Sequence, residues 1–248
     1  MAFTIYRASV IPPSAGRTIR TRVVEAALEM NRSGINHGTS GNVSARLEDP
    51  GMFVITPTAV PYDEVAPGSL SRVSLAGAWH DGAEPSTEWR LHRAIYEARP
   101  DVEGIVHAHP LHASAVACLR LAIPAFHYSV PMFGGADIRC APYAPYGTEA
   151  LARASVQALE DRRACLMSNH GIVAIGETVE EALRWAQQLE VLAAMFLAAL
   201  SAGSPVILAE PDVAELLAKF KTYGRSRPAT REIRRSGGSA GRARALRG

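Results

Sequence analysis

Apolar residues recur at helical spacing from about Ile19 to Met30, with Val23, Ala26 and Leu28 marking the apolar side and Ser33-Gly34 as the stop. The pattern then changes. Gly38-Thr39-Ser40-Gly41-Asn42-Val43-Ser44 is small, polar and bracketed by glycine, whereas Met52-Phe53-Val54-Ile55 has the composition of a strand and runs into a turn at Thr56-Pro57-Thr58-Ala59. Pro85-Ser86-Thr87-Glu88 introduces a helix over Trp89 to Ala98, with Ser86 as the expected N-cap and Arg99-Pro100 as the close. Further strands are predicted at Ile105 to His109, Ile123 to Tyr128, Arg139 to Ala141, Ala164 to Met167 and Ile172 to Ile175. Helices are predicted at Leu111 to Leu119, Thr148 to Glu160 and Pro211 to Phe220, and a capping box at Thr178-Val179-Glu180-Glu181 opens a long amphipathic helix to Leu200. Several strands are joined by connections too short for a crossover helix. The chain therefore reads as α/β, with a mixed, largely antiparallel sheet between helices rather than a doubly wound one.

Two features carry chemistry. His107-Ala108-His109 follows the apolar pair Ile105-Val106, and residues two apart on a strand project from one face, so both imidazoles can converge on one ion. His170 stands where Ser168-Asn169-His170-Gly171 reads as a strand edge and turn, and Glu88 opens a helix upstream. Three imidazoles with a position left open is the ligand pattern of catalytic zinc. An H-x-H triplet alone is also found in ordinary cores, and His37, His80, His112 and His127 read as packing or surface residues. His92 shares a helical face with Glu88 and is either an alternative ligand or an orienting group. The segments Gly38–Ser44 and Thr56–Ala59 either offer backbone N–H groups and short hydroxyls to an anion or are plain turn-rich loops.

Composition narrows the class. With 48% hydrophobic and 20% charged residues, the 248-residue chain reads as an ordinary globular protein, and no apolar run approaches the ~20 residues of a membrane span. The start, Met1-Ala2-Phe3-Thr4-Ile5-Tyr6-Arg7, lacks the pattern of a signal peptide. Cys118, Cys140 and Cys165 are odd in number and widely spaced, which fits a reducing compartment and excludes a cysteine-built zinc site, so the cytoplasm is expected. The net charge of +2 hides a tail: Arg225 to Gly248 carries eight arginines against Glu232, which leaves the body mildly acidic. Residues 1–224 read as one domain and 225–248 as a basic tail unable to bury a core, for which nucleic-acid binding is not expected because no recognition motif accompanies it.

These segments together resemble the class II aldolase/adducin family. The resemblance runs from about Val23 to Tyr223 through the Gly38–Ser44 segment, Ile55-Thr56-Pro57-Thr58, Ser86-Thr87-Glu88-Trp89-Arg90, Val106-His107-Ala108-His109, Pro142-Tyr143-Ala144-Pro145-Tyr146-Gly147-Thr148, Asn169-His170-Gly171 and Lys219-Phe220-Lys221-Thr222-Tyr223-Gly224. It implies a three-layer α/β/α sandwich, Zn²⁺ held by His107, His109 and His170, and Glu88 as both fourth ligand and acid/base. It also implies a homotetramer in which Tyr128 reaches a neighbour's site. Gly41, Asn42, Thr58, Ala59, Ser86 and Thr87 would bind phosphate, and Tyr146, Phe220 and Tyr223 would wall an aldehyde pocket. The implied activity is aldol cleavage of a short ketose 1-phosphate, L-fuculose 1-phosphate or an analogue. The rival readings are a decarboxylase or epimerase of the same family and a non-catalytic adducin-like interaction module. Three positions depart from the family pattern. Ala59 replaces a glycine and is expected to narrow the phosphate site or to exclude a positive φ, Thr87 replaces a serine, and Ser129–Phe133 differs after Tyr128.

Overall fold

The computed structural model describes residues 18–221, so Tyr223, the basic tail and the chain start lie outside the described residues. The first helix, α1 (Ile19–Arg32), begins where the Thr18 side chain accepts the Thr21 N–H. Its buried face is Val23, Val24, Ala26, Ala27 and Met30; Leu28, expected there, is exposed, because it stands about 140° around the helix from Val23, and Glu29 is buried and pairs with Arg32. Four strands follow: β1 (Asn42–Arg46), β2 (Met52–Ile55), β3 (Ser71–Ser74) and β4 (Trp79–Asp81). The Gly38–Ser44 segment is thus a loop only as far as Gly41, since antiparallel pairing with His107 and Val106 takes Asn42 and Val43 into the sheet and pairing with β2 follows from Ser44. β3 and β4 are short and carry serine, arginine and aspartate, so they give no run of apolar residues to read from the sequence.

Next come α2 (Trp89–Ala98), β5 (Gly104–Ala108), α3 (Leu111–Cys118), β6 (Ile123–Pro124), β7 (Asp137–Ile138), β8 (Cys140–Ala141) and α4 (Glu149–Ala158). The strand expected to reach Tyr128 stops at Pro124, which has no N–H to continue a ladder, and a 3₁₀ turn occupies Val130–Phe133. β9 (Ala164–Met167), β10 (Gly171–Gly176), α5 (Val179–Ala202) and α6 (Glu210–Phe220) complete the order. At the start of α5 the Thr178 hydroxyl accepts the Glu181 N–H at 3.1 Å, but the Glu181 carboxylate turns to the Glu177 N–H at 2.9 Å, one residue away from the expected box.

The main sheet has eight strands in the order β4-β3-β2-β1-β5-β10-β9-β8, all antiparallel except β8 beside β9, as the short connections require. Alternation along the strands divides the core between its faces. Val43, Ala45, Val106, Ala108, Ile172 and Ala174 pack with α1, α3 and α5, whereas Phe53, Ile55, Ile105, Cys165, Val173 and Ile175 pack with α2 and α4. The result is an α/β/α sandwich. α5 is, contrary to the reading of apolar runs, long and apolar enough to cross a membrane, with a mean hydropathy of 1.3. Here Val179, Ala182, Leu183, Ala186 and Leu189 bury its inner side against β5 and β10.

Candidate metal centre

His107 lies on the central strand β5, between Asn42 of β1 and Val173 of β10, and shares the α2-facing side with Ile105. Its Nδ1–H donates to the Ile172 carbonyl at 2.8 Å, which fixes the ring and leaves Nε2 as the free donor atom. β5 ends at Ala108, so His109 leaves the ladder, yet its Nε2 comes within 3.0 Å of the His107 Nε2. The Asn36 side chain accepts the His109 N–H at 3.3 Å and so holds the backbone there. His170 sits in the β9–β10 turn after Asn169, whose φ of 54° asparagine tolerates better than most residues.

Two glycines let these segments meet. A Cβ on Gly171 would lie 2.5 Å from the Ala108 carbonyl oxygen and 2.6 Å from the His109 ring, and one on Gly41 would lie 2.7 Å from both the Asn36 Oδ1 and the His107 carbonyl oxygen. Glu88 stands at the N-cap position of α2, the place expected for Ser86, and makes no capping bond with its side chain. The carboxylate is turned to the histidines instead: Oε2 is 2.7 Å from His107 Nε2 and Oε1 is 3.6 Å from His170 Nε2. Ser86 keeps a supporting part, its hydroxyl accepting the Glu88 N–H at 3.4 Å.

The ligand atoms of Glu88, His107, His109 and His170 all lie within 4.8 Å of one another, and the three rings stand edge to face with centroids 4.7 to 4.9 Å apart. His107 Nε2 lies 3.0 Å from the His109 Nε2 and 2.7 Å from Glu88 Oε2, so a single proton there cannot serve both neighbours, and Glu88 Oε1 is buried with no hydrogen-bond partner. A metal ion satisfies both, and a set of three imidazoles and one carboxylate suits a divalent transition metal.

Burial presses His109 down to about 3, assisted by the charge of His107 and His170, and His170 down to about 4, so both stay neutral, as ligands must be. Burial alone would raise Glu88. The neighbouring charge of His107, its hydrogen bond, and the charges of His170 and His92 outweigh burial and hold the carboxyl at about 2. Against its own burial, His107 is raised by the same partnership with Glu88. In this position Glu88 offers a cation a charged carboxylate and lacks the raised pKa of a base.

A cavity of about 530 Å³ opens above the group, and Glu88, His109 and His170 form part of its lining. Asn42, Thr58, Ala59, Ser86, Thr87 and Tyr146 line it as well, so the expected phosphate and aldehyde positions other than Gly41, Phe220 and Tyr223 meet here. Ala59 does adopt the positive φ it was expected to exclude, at 56°. Tyr128 is 58% exposed, stacks on His127 and does not line this cavity; Phe220 lines a different one with Met132, Arg163 and Leu217. His92 is not in this group, and both its ring nitrogens bond inside the protein. Sequence reading missed Asn36, an asparagine in a polar loop with nothing to mark it. It also passed over Tyr143, which lines the cavity beside Tyr146 and carries Arg120 over its ring at 6.0 Å.

Residues 21–197 match the Class II Aldolase and Adducin N-terminal domain. The chain is 43% identical over 204 residues to L-fuculose phosphate aldolase of Escherichia coli K12, covering 82% of this chain and 94% of that protein. It is 39% identical over 212 residues to the 5-methylthioribulose-1-phosphate/5-deoxyribulose-1-phosphate aldolase of Rhodospirillum rubrum, covering 86% and 95%. A solved L-fuculose 1-phosphate aldolase superposes with a TM-score of 0.79 at 32% identity, over 82% of this chain and 96% of that one. The chain belongs to the class II aldolase and adducin family and stands among its aldolases, carbon–carbon lyases, with a Glu–His₃ group able to hold their metal.

Proposed function

We propose that this enzyme catalyses the reversible, zinc-dependent aldol cleavage of a short ketose 1-phosphate, L-fuculose 1-phosphate or a close analogue, to dihydroxyacetone phosphate and a small aldehyde, in the cytoplasm. The observation that carries this reading is one cavity with two chemically distinct linings: the histidines and Glu88, and the hydroxyls and backbone of Thr58, Ser86 and Thr87. A phosphate held by the latter sets the carbons next to it beside Glu88. His107, His109 and His170 hold the ion, which when bound supplies the Lewis acidity that makes a proton beside a carbonyl removable.

Glu88 is the acid/base group. Its carboxyl titrates low only while it faces His107, so moving away from that ring into a desolvated cavity restores its basicity. Asn42, with Gly41 beside it, helps receive the phosphate, and Ala59 stands where backbone meets its oxygens. Tyr128, exposed on its own chain, serves a neighbour's site in a homotetramer, protonating or deprotonating the hydroxyl of the aldehyde half. Tyr146, Phe220 and Tyr223 wall the pocket for that half. The similarity to both fuculose phosphate and deoxyribulose phosphate aldolases favours a substrate with an apolar end. Incubation of the zinc-loaded enzyme with L-fuculose 1-phosphate, 5-deoxyribulose 1-phosphate and β-keto acids tests the reading. Release of dihydroxyacetone phosphate supports it; release of CO₂ alone replaces it with a decarboxylase.

A further inference from the structure

Behind Glu88, on the α2-facing side of the sheet, lies a chain of buried polar groups that touches neither the ligand set nor the cavity except through Asn42. Asn42 and Ser44 stand two apart on β1 and so share a face, and α2 lays His92 and Tyr96 over them. The Asn42 Nδ2 donates to Glu88 Oε2 at 3.4 Å. His92 Nε2 meets Asn42 Oδ1, His92 Nδ1 is 2.6 Å from the Ser44 hydroxyl, and that hydroxyl is 2.8 Å from the Tyr96 hydroxyl. His92, Ser44 and Tyr96 are all fully or almost fully buried, so no solvent can exchange partners with them.

The direction of every proton in this chain follows from its end. A carboxylate only accepts, so the amide nitrogen of Asn42 must face Glu88 and its oxygen must face His92. His92 then carries its proton on Nε2, which leaves Nδ1 to accept from Ser44, and Ser44 in turn accepts from Tyr96. Tyr96 is held firmly in its donor form, because burial raises its phenol. Reversing any one member turns two acceptors toward each other in a dry site, which costs the full desolvation of the group left unpaired.

We propose that His92 is a positioning residue: locked in the Nε2–H tautomer by Ser44 and Tyr96, it fixes the amide of Asn42 so that a donor, never an acceptor, faces Glu88. This rests on the reading of Glu88 as the acid/base group. The role requires no change of charge on His92. Its consequence is that the carboxylate is aimed by a relay running back to the sheet and α2, rather than by the metal ligands alone.

Nitrogen NMR of the full-length, metal-loaded protein carrying ¹⁵N-histidine is the direct test. The expected result is a protonated Nε2 and a bare Nδ1 on His92; a proton on Nδ1 overturns the proposal. Kinetics supply a second test. His92→Leu should lower kcat for ketose 1-phosphate cleavage by about 10- to 100-fold, as misplacement of a reacting group does. Metal content should stay within about twofold, since no candidate ligand is touched, and any rise in KM, passed on through Asn42 where it helps receive the phosphate, should be smaller than the fall in kcat. His92→Gln, whose amide N–H can reach Asn42, should recover most of the loss.

An unchanged kcat in His92→Leu, a loss confined to KM or metal content, or a glutamine variant no better than the leucine one overturns the proposal. If the leucine variant does not fold, Ser44→Ala takes its place: it frees Nδ1 while keeping the ring, and an unaltered kcat there has the same force. Should the wild-type enzyme cleave no ketose 1-phosphate, the proposed activity fails, while the tautomer measurement still decides this inference.

Discussion

Ala59 shows what a single methyl group can do in this site. It holds a φ of 56°, a left-handed conformation that costs a non-glycine residue about 1 kcal/mol, and it does so on the wall of the cavity. Ala59→Gly is expected to raise the melting temperature by about 2–4 °C, the shift that relief of about 1 kcal/mol gives a chain of this size. It should also lower KM for a ketose phosphate by about fivefold with little change in kcat, by restoring a backbone contact worth about 1 kcal/mol. A calorimetric scan and a substrate titration of the two proteins check both. Among the ligands, His109→Ala leaves two imidazoles and a carboxylate, so zinc content and activity should fall together. Elemental analysis showing stoichiometric zinc in that variant would remove His109 from the ligand set.

The histidines also set a pH response in chelator-treated protein. Burial leads the shift in each of His92, His109 and His170, holding them at about 3, 3 and 4 against an ordinary 6.5. The unfolded chain therefore takes up these protons first, and stability falls as pH drops below 6.5. Glu88, depressed to about 2, adds a loss of the same sign below its ordinary 4.5; His107, raised, opposes it, because its contribution disappears as pH rises. Thermal melts of the metal-free protein from pH 8 to pH 4 should show a steady decline, and a flat profile would contradict the assignment. That Glu88, His107, His109 and His170 stand together was legible in part from the H-x-H spacing at a strand end and otherwise only from the family resemblance. The low titration of Glu88 was not, since it depends on rings brought from β5 and from the β9–β10 turn.

At the scale of elements, the apolar patterns located α1, α2, α3, α4, α5, β2, β5, β9 and β10 closely, because each carries a buried stripe or run, and they located α6 as well, although Val213 is its one buried residue. They failed for β3 and β4, whose exposed or small polar residues leave pairing, not burial, to define the strand. The start of α3 was predicted at Leu111, but no local pattern reveals what caps it. Glu190, fully buried in the middle of α5, accepts the backbone N–H groups of His112 and Ala113 at 2.9 and 2.8 Å, and the His112 ring at 2.7 Å. One helix thus caps another, immediately after His109. Truncation to alanine would leave buried donors unpaired, so Glu190→Ala should destabilise the protein by about 3 kcal/mol in chemical denaturation. A change within about 0.5 kcal/mol, the range of ordinary surface substitutions, would show the cap to be dispensable.

For the whole molecule, the informative fact is what a single chain leaves apart. Tyr128 and Phe220 do not line the cavity that holds Glu88. If the sites are completed between subunits, mixing Tyr128→Phe protomers with Glu88→Gln protomers should restore part of the activity that each lacks, because some sites then receive both intact residues. A fully active monomer in solution would end that reading. Neither the neighbour nor its geometry is legible from one sequence, because the signal for a tyrosine used in trans is the same as for one exposed by chance.

The ligand set has a consequence for the life of the protein. Glu88, His107 and His170 come from three stretches of chain that only the finished sheet brings together, so an unfolded chain offers the ion no comparable grip. Ion at about a hundred times its dissociation constant then adds about 2.7 kcal/mol to the folded state. If Glu88 and the three histidines hold the metal, its supply in the cell becomes a clock on turnover: under scarcity the chain would open more often, meet proteases more often, and decline in abundance before any substrate is involved.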